Sequence, residues 1–415
     1  MTMVSIHQRN ACRICGSAYL HEFLRLPDMP LTDEFVEEDS KGREFLADIG
    51  VFVCRDCWVC QTQHDADTQD YYADYQYSVG ATGFASRFMS LLSEYILETF
   101  FPQESNLKVL EIGSGDGEQL LSFKNRGHSV LGFEPSKALV EIARQKGVDS
   151  VLGLFDGNSA NRLPREFQMV DIVLMSYTFD HIPDPMDTLS AIGKVLNPQR
   201  GVLVIENHDV EKMLHRSEYC LFEHEHSIYL DASTAQSVLK RGEMALVTLN
   251  PLPEDVTRAN SLIFIGAKQG SRYKDRELPT VRPCLAHNIN VFDDCADKIQ
   301  RAIGNLDAYI DKWTGVGKKV AGYGAGGRGI LTLAPAKSAS KLIYLADKKP
   351  KSEGIVTPRS HVPVVPIAHM KRQRADKIIV FSFGYMDEIV SDLAAYGYEP
   401  NQFISMLDVL EGKQG

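Results

Sequence analysis

Short apolar runs alternate with amphipathic stretches along most of this chain. Val109-Leu110-Glu111-Ile112, Val130-Leu131-Gly132-Phe133, Val170-Asp171-Ile172-Val173-Leu174-Met175 and Val202-Leu203-Val204-Ile205 read as buried strands. Ala138 to Gln145 and Met186 to Val195, lying between them, have helical spacing. A last strand pair is expected near 244–249 and 261–267. Upstream, Phe84, Phe88, Leu91, Leu92, Tyr95 and Ile96 recur at three- and four-residue intervals, which predicts helix within 66–105. The polar stretch Lys268 to Thr280 reads as a linker. Beyond it, 286–314 predicts a long helix, and strands are expected again at 319–323, 342–346, 377–381 and 402–406. Strands alternating with helices imply α/β architecture with parallel sheets covered on both faces. The predicted division is 1–65, 66–270 and 271–415. Residues 1–65 carry few apolar runs and are expected to bury little core of their own.

Cysteines change the picture of that first segment. Cys12-Arg-Ile-Cys15 and Cys54-Arg-Asp-Cys57 are two C-x₂-C turns, and each presents two thiolates to one tetrahedral ion. The spacing predicts a structural zinc site, because four thiolates close the coordination shell and leave no open position. The metal would link turns that lack a core. Cys60 continues the run and is an alternative to Cys57 as ligand, whereas Cys220, Cys284 and Cys295 are scattered. Reduced thiolates, with no apolar leader or run of 18 apolar residues in view, suit a cytoplasmic protein away from membranes.

Charge narrows the partners. The net charge is −11 and no basic run is long enough to form a groove, which argues against nucleic acid. A monomer is expected. The chemistry instead points to a nucleoside. Glu111 ends its strand, and Gly113, Ser114, Gly115 and Gly117 turn the chain into a helix. About 20 residues on, the next strand ends at Glu134, where a carboxylate can accept hydrogen bonds from ribose hydroxyls. The spacing suits NAD as well as S-adenosylmethionine (SAM). The order E-x-G-x-G-x-G resembles the first motif of class I SAM methyltransferases. That resemblance implies adenine contact at Leu154-Phe155-Asp156 and a methyl-transfer mouth at Ser176 to His181.

Taken whole, the chain resembles the sugar C-methyltransferases of deoxysugar pathways. The shared stretches are the cysteine pairs; Pro30-Leu31-Thr32-Asp33-Glu34-Phe35; Gly132-Phe133-Glu134-Pro135-Ser136; His181-Ile182-Pro183; Glu225-His226; Val320-Ala321-Gly322-Tyr323-Gly324-Ala325; and Asp347 leading to Thr357-Pro358 and Val362-Pro363-Val364. The resemblance implies a small zinc-binding N-terminal domain, a class I SAM-methyltransferase Rossmann-like domain and a second Rossmann-like C-terminal domain. It implies a nucleotide-linked keto-sugar substrate, methylated on carbon through an enolate. The family's catalytic Tyr-Asp-Glu-His corresponds here to Glu223-His224-Glu225-His226. His226 then stands as the general base with Glu225 orienting or charging it, Tyr77 of Tyr75-Gln76-Tyr77 as a sugar or enolate contact, and His181 at the mouth.

Other departures fall on the substrate side. Tyr177-Thr178-Phe179-Asp180-His181 replaces Asn-Thr-Leu-Cys-His, Arg258-Ala259-Asn260-Ser261 lies where His-Gly-Gly is missing, and Phe383-Gly384 replaces Trp-Asn. Gly322, Gly324 and Gly327 with Asp347 spell a dinucleotide fingerprint, yet the resemblance assigns this domain to the nucleotide sugar. Arg328, in the family's lysine position at a helix start, would meet the pyrophosphate, with Lys348, Lys349 and Lys351 either assisting or forming a solvated face. Alternatives are O- or N-methylation on the same scaffold, and a zinc-containing RNA-binding or non-catalytic module. His224 and His226 can also be structural, or form a second metal site with His208 and His215.

Overall fold

The computed structural model describes residues 4–414 apart from 33, 68–82, 274, 277, 278, 282–284, 286, 349 and 351. Tyr75, Tyr77, Cys284, Lys349 and Lys351 thus lie outside the described residues. Near the N-terminus, β1 (Leu20–Met29), β2 (Ala47–Cys54) and β3 (Cys60–Thr62) form antiparallel pairs. Leu24, Leu26, Met29, Ile49, Val51 and Val53 are all buried. This corrects the expectation of a segment with little core. The partners of these side chains come from far along the sequence: Phe222, Tyr229, Phe292, Leu306 and Tyr309 belong to the same apolar cluster.

α1 (Gly83–Phe100) buries Phe88, Leu92 and Ile96 along one face, the stripe that its spacing predicts. Then β4 (Lys108–Ile112), α2 (Glu118–Lys124), β5 (Ser129–Glu134), α3 (Lys137–Gln145), β6 (Ser150–Leu152), β7 (Ile172–Ser176), α4 (Pro185–Val195) and β8 (Val202–His208) alternate. The Ser136 hydroxyl accepts the Leu139 N–H and so starts α3, satisfying one of the donors that a helix N-terminus leaves open. β9 (Ile228–Tyr229) pairs with β3, so the N-terminal sheet runs β9-β3-β2-β1. α5 (Ala232–Arg241), β10 (Met244–Leu249) and β11 (Ser261–Lys268) complete a seven-stranded sheet of order β10-β11-β8-β7-β4-β5-β6. It is parallel from β8 to β6, with β10 and β11 antiparallel at one edge. Part of the stretch read as a linker is packed: Tyr273 is buried and its hydroxyl donates to the Phe100 carbonyl at 3.1 Å.

α6 (Ile289–Gly315) leads into the last domain, with Phe292, Ile299, Leu306 and Ile310 buried on one side. There β12 (Val320–Tyr323), α7 (Gly327–Leu333), β13 (Leu345–Asp347), β14 (Val364–Pro366), β15 (Lys377–Val380) and β16 (Phe403–Ser405) build a parallel sheet of order β14-β13-β12-β15-β16. The two Gly-rich units are built alike. Glu134 at the end of β5 accepts the Gly115 N–H at 2.9 Å, and Asp347 at the end of β13 accepts the Ala325 N–H at 2.9 Å. Among the described residues, no helix is long and apolar enough to cross a membrane.

Candidate active site and zinc centre

Cys12, Cys15, Cys54 and Cys57 converge, with all four sulfurs within 4.8 Å of one another and the Cys12–Cys57 and Cys15–Cys54 separations both 3.5 Å. A tetrahedral zinc with bonds near 2.3 Å places its sulfurs about 3.8 Å apart, so the cluster fits that ion. Two tight turns produce it: Gly16 N–H donates to the Cys12 carbonyl and Trp58 N–H to that of Cys54. Arg13, inside the first turn, is buried and fastens the knuckle to Asp65 and to the His64 carbonyl. Cys60 is not in the group; it is buried in the apolar cluster of β1 and β2.

The first glycine loop has Gly113, Gly115 and Gly117 at φ of 73°, 52° and 78°, a region that favours glycine. A Cβ on Gly113 would run into the Thr178 side chain, while one on Gly115 would meet nothing within 4 Å among the described residues. The loop therefore leaves room for a ligand to approach the backbone. Glu111 Oε2 is buried at its base without a hydrogen-bond partner among the described residues. Glu134 accepts from Gly115 N–H and, at 2.8 Å, from Ser136 N–H; burial raises its pKa and these bonds oppose the shift. These features fit SAM. Ser114 Oγ faces Ser150 Oγ at 3.4 Å, Pro135 leads into the α3 cap, and Ser176 ends β7 opposite Glu206. Asp156 is exposed and caps a short helix through the Ser159 N–H at 2.7 Å.

Beyond the ends of β7 and β8 lies a group of buried ionisable side chains. His226 Nδ1 is 3.1 Å from the Leu221 carbonyl, a bond that requires Nδ1 to be the donor and leaves the Nε2 lone pair exposed to the site. Nε2 lies 3.7 Å from Glu223 Oε2. The carboxylate beside Nε2 is thus Glu223, not Glu225. Burial alone would lower the His226 pKa, but the charges of Glu223 and Asp180 outweigh it and the net shift is upward. Burial, then Glu223, pushes Glu225 up to about 8. Thr32 links the two carboxylates: its hydroxyl donates to Glu223 at 2.8 Å and its N–H to Glu225 at 3.0 Å. His181 stacks edge-on against His226 at 4.5 Å between centroids, and burial lowers its pKa to about 3. His224 turns away. Its ring nitrogens meet His64 at 2.9 Å and the Met29 carbonyl at 2.9 Å, so it serves the N-terminal segment.

Thr32 and Asp180 have no role of their own in the sequence reading, and His208 has only that of a candidate ligand of a second metal. Thr32 sat inside a recognised stretch, whereas Asp180 and His208 come together only because β7 and β8 are neighbours; Asp180 Oδ2 and His208 Nδ1 are 2.9 Å apart. In the last domain, Gly324 has φ of 101° and a Cβ there would strike Ser382. Arg328 starts α7 and its guanidinium reaches the buried Glu218 at 3.4 Å and lies over the Phe383 ring at 4.9 Å. His215, at the end of the short helix Val210–His215, is not among the clustered groups.

Comparison with known proteins agrees with this architecture. Family profiles match as a zinc binding domain over 12–72, a methyltransferase domain over 84–248 and a C-methyltransferase C-terminal domain over 282–407. The C-methyltransferase NovU of Streptomyces niveus is 23% identical over 402 residues, 95% of this chain and 94% of that protein. An uncharacterized methyltransferase of Oceanobacillus iheyensis is 33% identical over 106 residues, 25% of this chain and 47% of its own length. The YcgJ protein of Bacillus subtilis superposes with a TM-score of 0.32 at 17% identity, covering 44% of this chain and 97% of that one. With a Cys₄ cluster at one end, a SAM-type loop in the middle and the three profile matches in order, the chain is a SAM-dependent methyltransferase, similar along its length to C-methyltransferases that carry a zinc-binding domain.

Proposed function

We propose that this methyltransferase acts on a carbon beside the ketone of a nucleotide-linked keto-deoxysugar, in the cytoplasm. The observation that carries the reading is the His226 imidazole, pinned through Nδ1 with Nε2 facing Glu223 among buried side chains. SAM, when bound, supplies an electrophilic methyl group. The chain's own residues do the rest. His226 Nε2 takes the α-proton and leaves the C–H electron pair on the substrate as an enolate, the nucleophile that bound SAM would methylate, the pair of the broken S–CH₃ bond passing to the sulfonium sulfur. Glu223 stabilises the imidazolium that forms. Glu225, which burial keeps protonated near neutral pH, offers an O–H donor to the enolate oxygen. Arg328 and the Gly324 loop take the nucleotide, and Tyr77 contacts the sugar. Gly113, Ser114, Gly115 and Glu134 hold the cofactor.

The test is incubation with SAM and a panel of nucleotide keto-sugars, followed by mass spectrometry for a gain of one methylene and NMR of the product methyl. A methyl carbon bonded to oxygen or nitrogen would replace this reading with the O- or N-methylation alternative. No turnover across the panel would reject the sugar class.

Two smaller expectations follow from the geometry. Glu134→Ala removes an ionised acceptor of the ribose hydroxyls, a loss of roughly 1.5–3 kcal/mol. Titration calorimetry should show SAM affinity falling about ten-fold or more; unchanged affinity would move the ribose elsewhere. Thr32→Val keeps the side chain's shape but removes the hydroxyl between Glu223 and Glu225. At roughly 1.5–3 kcal/mol for a bond to a charged acceptor, kcat/KM is expected to drop about 10- to 100-fold with SAM binding intact. Wild-type kinetics in this variant would mean that the carboxylates need no tether.

A further inference from the structure

The proposed chemistry uses Glu223, Glu225 and His226 and leaves two of their neighbours without a task. Asp180, in the turn after β7, is 1% exposed. One of its oxygens faces His208 Nδ1 at 2.9 Å, and the other, Oδ1, is buried with no hydrogen-bond partner among the described residues. His208 closes β8, and its ring packs 5.0 Å from that of His226. One donor atom from each of Asp180, His208 and His226 lies within 4.8 Å of the other two. Because His226 Nδ1 is engaged with the Leu221 carbonyl, its free donor is Nε2.

We propose that Asp180, His208 and His226 form a second cation site, for a divalent transition metal of the zinc type, distinct from the four-cysteine centre. Two imidazoles and one carboxylate make a borderline donor set that suits zinc, cobalt or nickel. Such a site keeps open positions, unlike a closed thiolate shell. Bonds of about 2.0–2.2 Å place donors in a tetrahedral shell roughly 3.4 Å apart, so the cluster needs only a modest contraction. The cation would satisfy the unpartnered Asp180 Oδ1. Glu223 Oε2, 3.7 Å from His226 Nε2, stands beside the site to complete the shell directly or through a water. His208 is the member that reaches solvent, with 16% of its side chain exposed against 1% for Asp180 and 3% for His226, and so marks the way in.

The site has a consequence that rests on the proposed function. The Nε2 lone pair that binds the cation is the one that removes the substrate proton, and it cannot do both. A filled site is then an inhibited enzyme, and a mild chelator activates it without touching the thiolate zinc.

The experiment uses the full chain with its cysteine centre loaded with zinc, titrated with Co²⁺ and followed by visible absorption and by metal content. A second equivalent is expected, with d–d bands and without the thiolate charge-transfer band of a cysteine site. Asp180→Asn, nearly isosteric, and His208→Ala should each lose that equivalent while keeping the first. Methyl transfer by the wild type should fall as the second equivalent fills. If the wild type binds one equivalent only, or if both variants, folded by circular dichroism, retain the second, the proposal is overturned. A second equivalent that binds without loss of activity upholds the site and instead removes His226 from the role of base.

Discussion

His226→Ala is expected to stop methyl transfer while SAM still binds with near-normal affinity. Loss of a general base costs roughly 10²–10⁴-fold in rate. The two functions separate because the proposed base sits in the turn-rich segment after β8, whereas the cofactor loop follows β4 on the other side of β7. The same variant should stop wash-in of deuterium at the reacting carbon, because proton removal precedes methyl transfer in an enolate mechanism. Near-normal turnover and exchange would transfer the role to another group, with Glu223 first in line for its place beside Nε2. The C-methylation reading would then lose its main support. His224→Ala makes a useful contrast. Both of its ring nitrogens are committed to His64 and the Met29 carbonyl of the N-terminal segment, so its loss should lower thermal stability and leave the proposed base in place.

Cys15→Ser should cost the chain its thiolate-bound zinc and, with it, the order of the N-terminal sheet. Structural zinc contributes about 10–16 kcal/mol in small zinc domains, and a ligand swap forfeits much of that. Here the loss would spread. Cys12, Cys54 and Cys57 belong to the same apolar cluster as Leu110, Phe133, Ile205 and Ile228, so the metal braces the zinc knuckles against the methyltransferase sheet. Thr32, which tethers Glu223 and Glu225, hangs from β1 of the sheet so disturbed. Activity should therefore collapse while SAM binding weakens only indirectly. Metal analysis and hydrogen exchange over residues 12–66 would check this. One zinc per chain with unchanged protection would show that Cys15 is not a ligand.

Local chemistry was legible without a structure. The C-x₂-C turns, the glycine loop with Glu111 and Glu134, and the alternation of apolar runs are all properties of near neighbours in sequence, and each maps onto one turn, one loop or one strand. Boundaries slipped by a few residues where ends are set by caps and not by hydrophobicity, as at the predicted strand 342–346, which starts at Leu345. The short strand Val364–Pro366, too brief to show a period, was passed over.

What long-range packing decides was not legible. The N-terminal segment looked poor in core because its apolar positions are completed by α6, Phe222 and Tyr229, hundreds of residues away. The stretch Glu223-His224-Glu225-His226 shows the same limit. In sequence, Glu223, His224, Glu225 and His226 are four equal neighbours; in space His224 faces the zinc domain while His226 turns to Glu223 and Asp180. Nothing in the local pattern separates them, because successive residues in an irregular turn have no fixed period to say which way each points. The chain by itself determined the residues' chemistry and the secondary elements that carry them. Only the tertiary structure decided which ionisable groups share one buried, low-dielectric pocket, and the shifts in their proton affinities follow from that burial and from the charges packed around it.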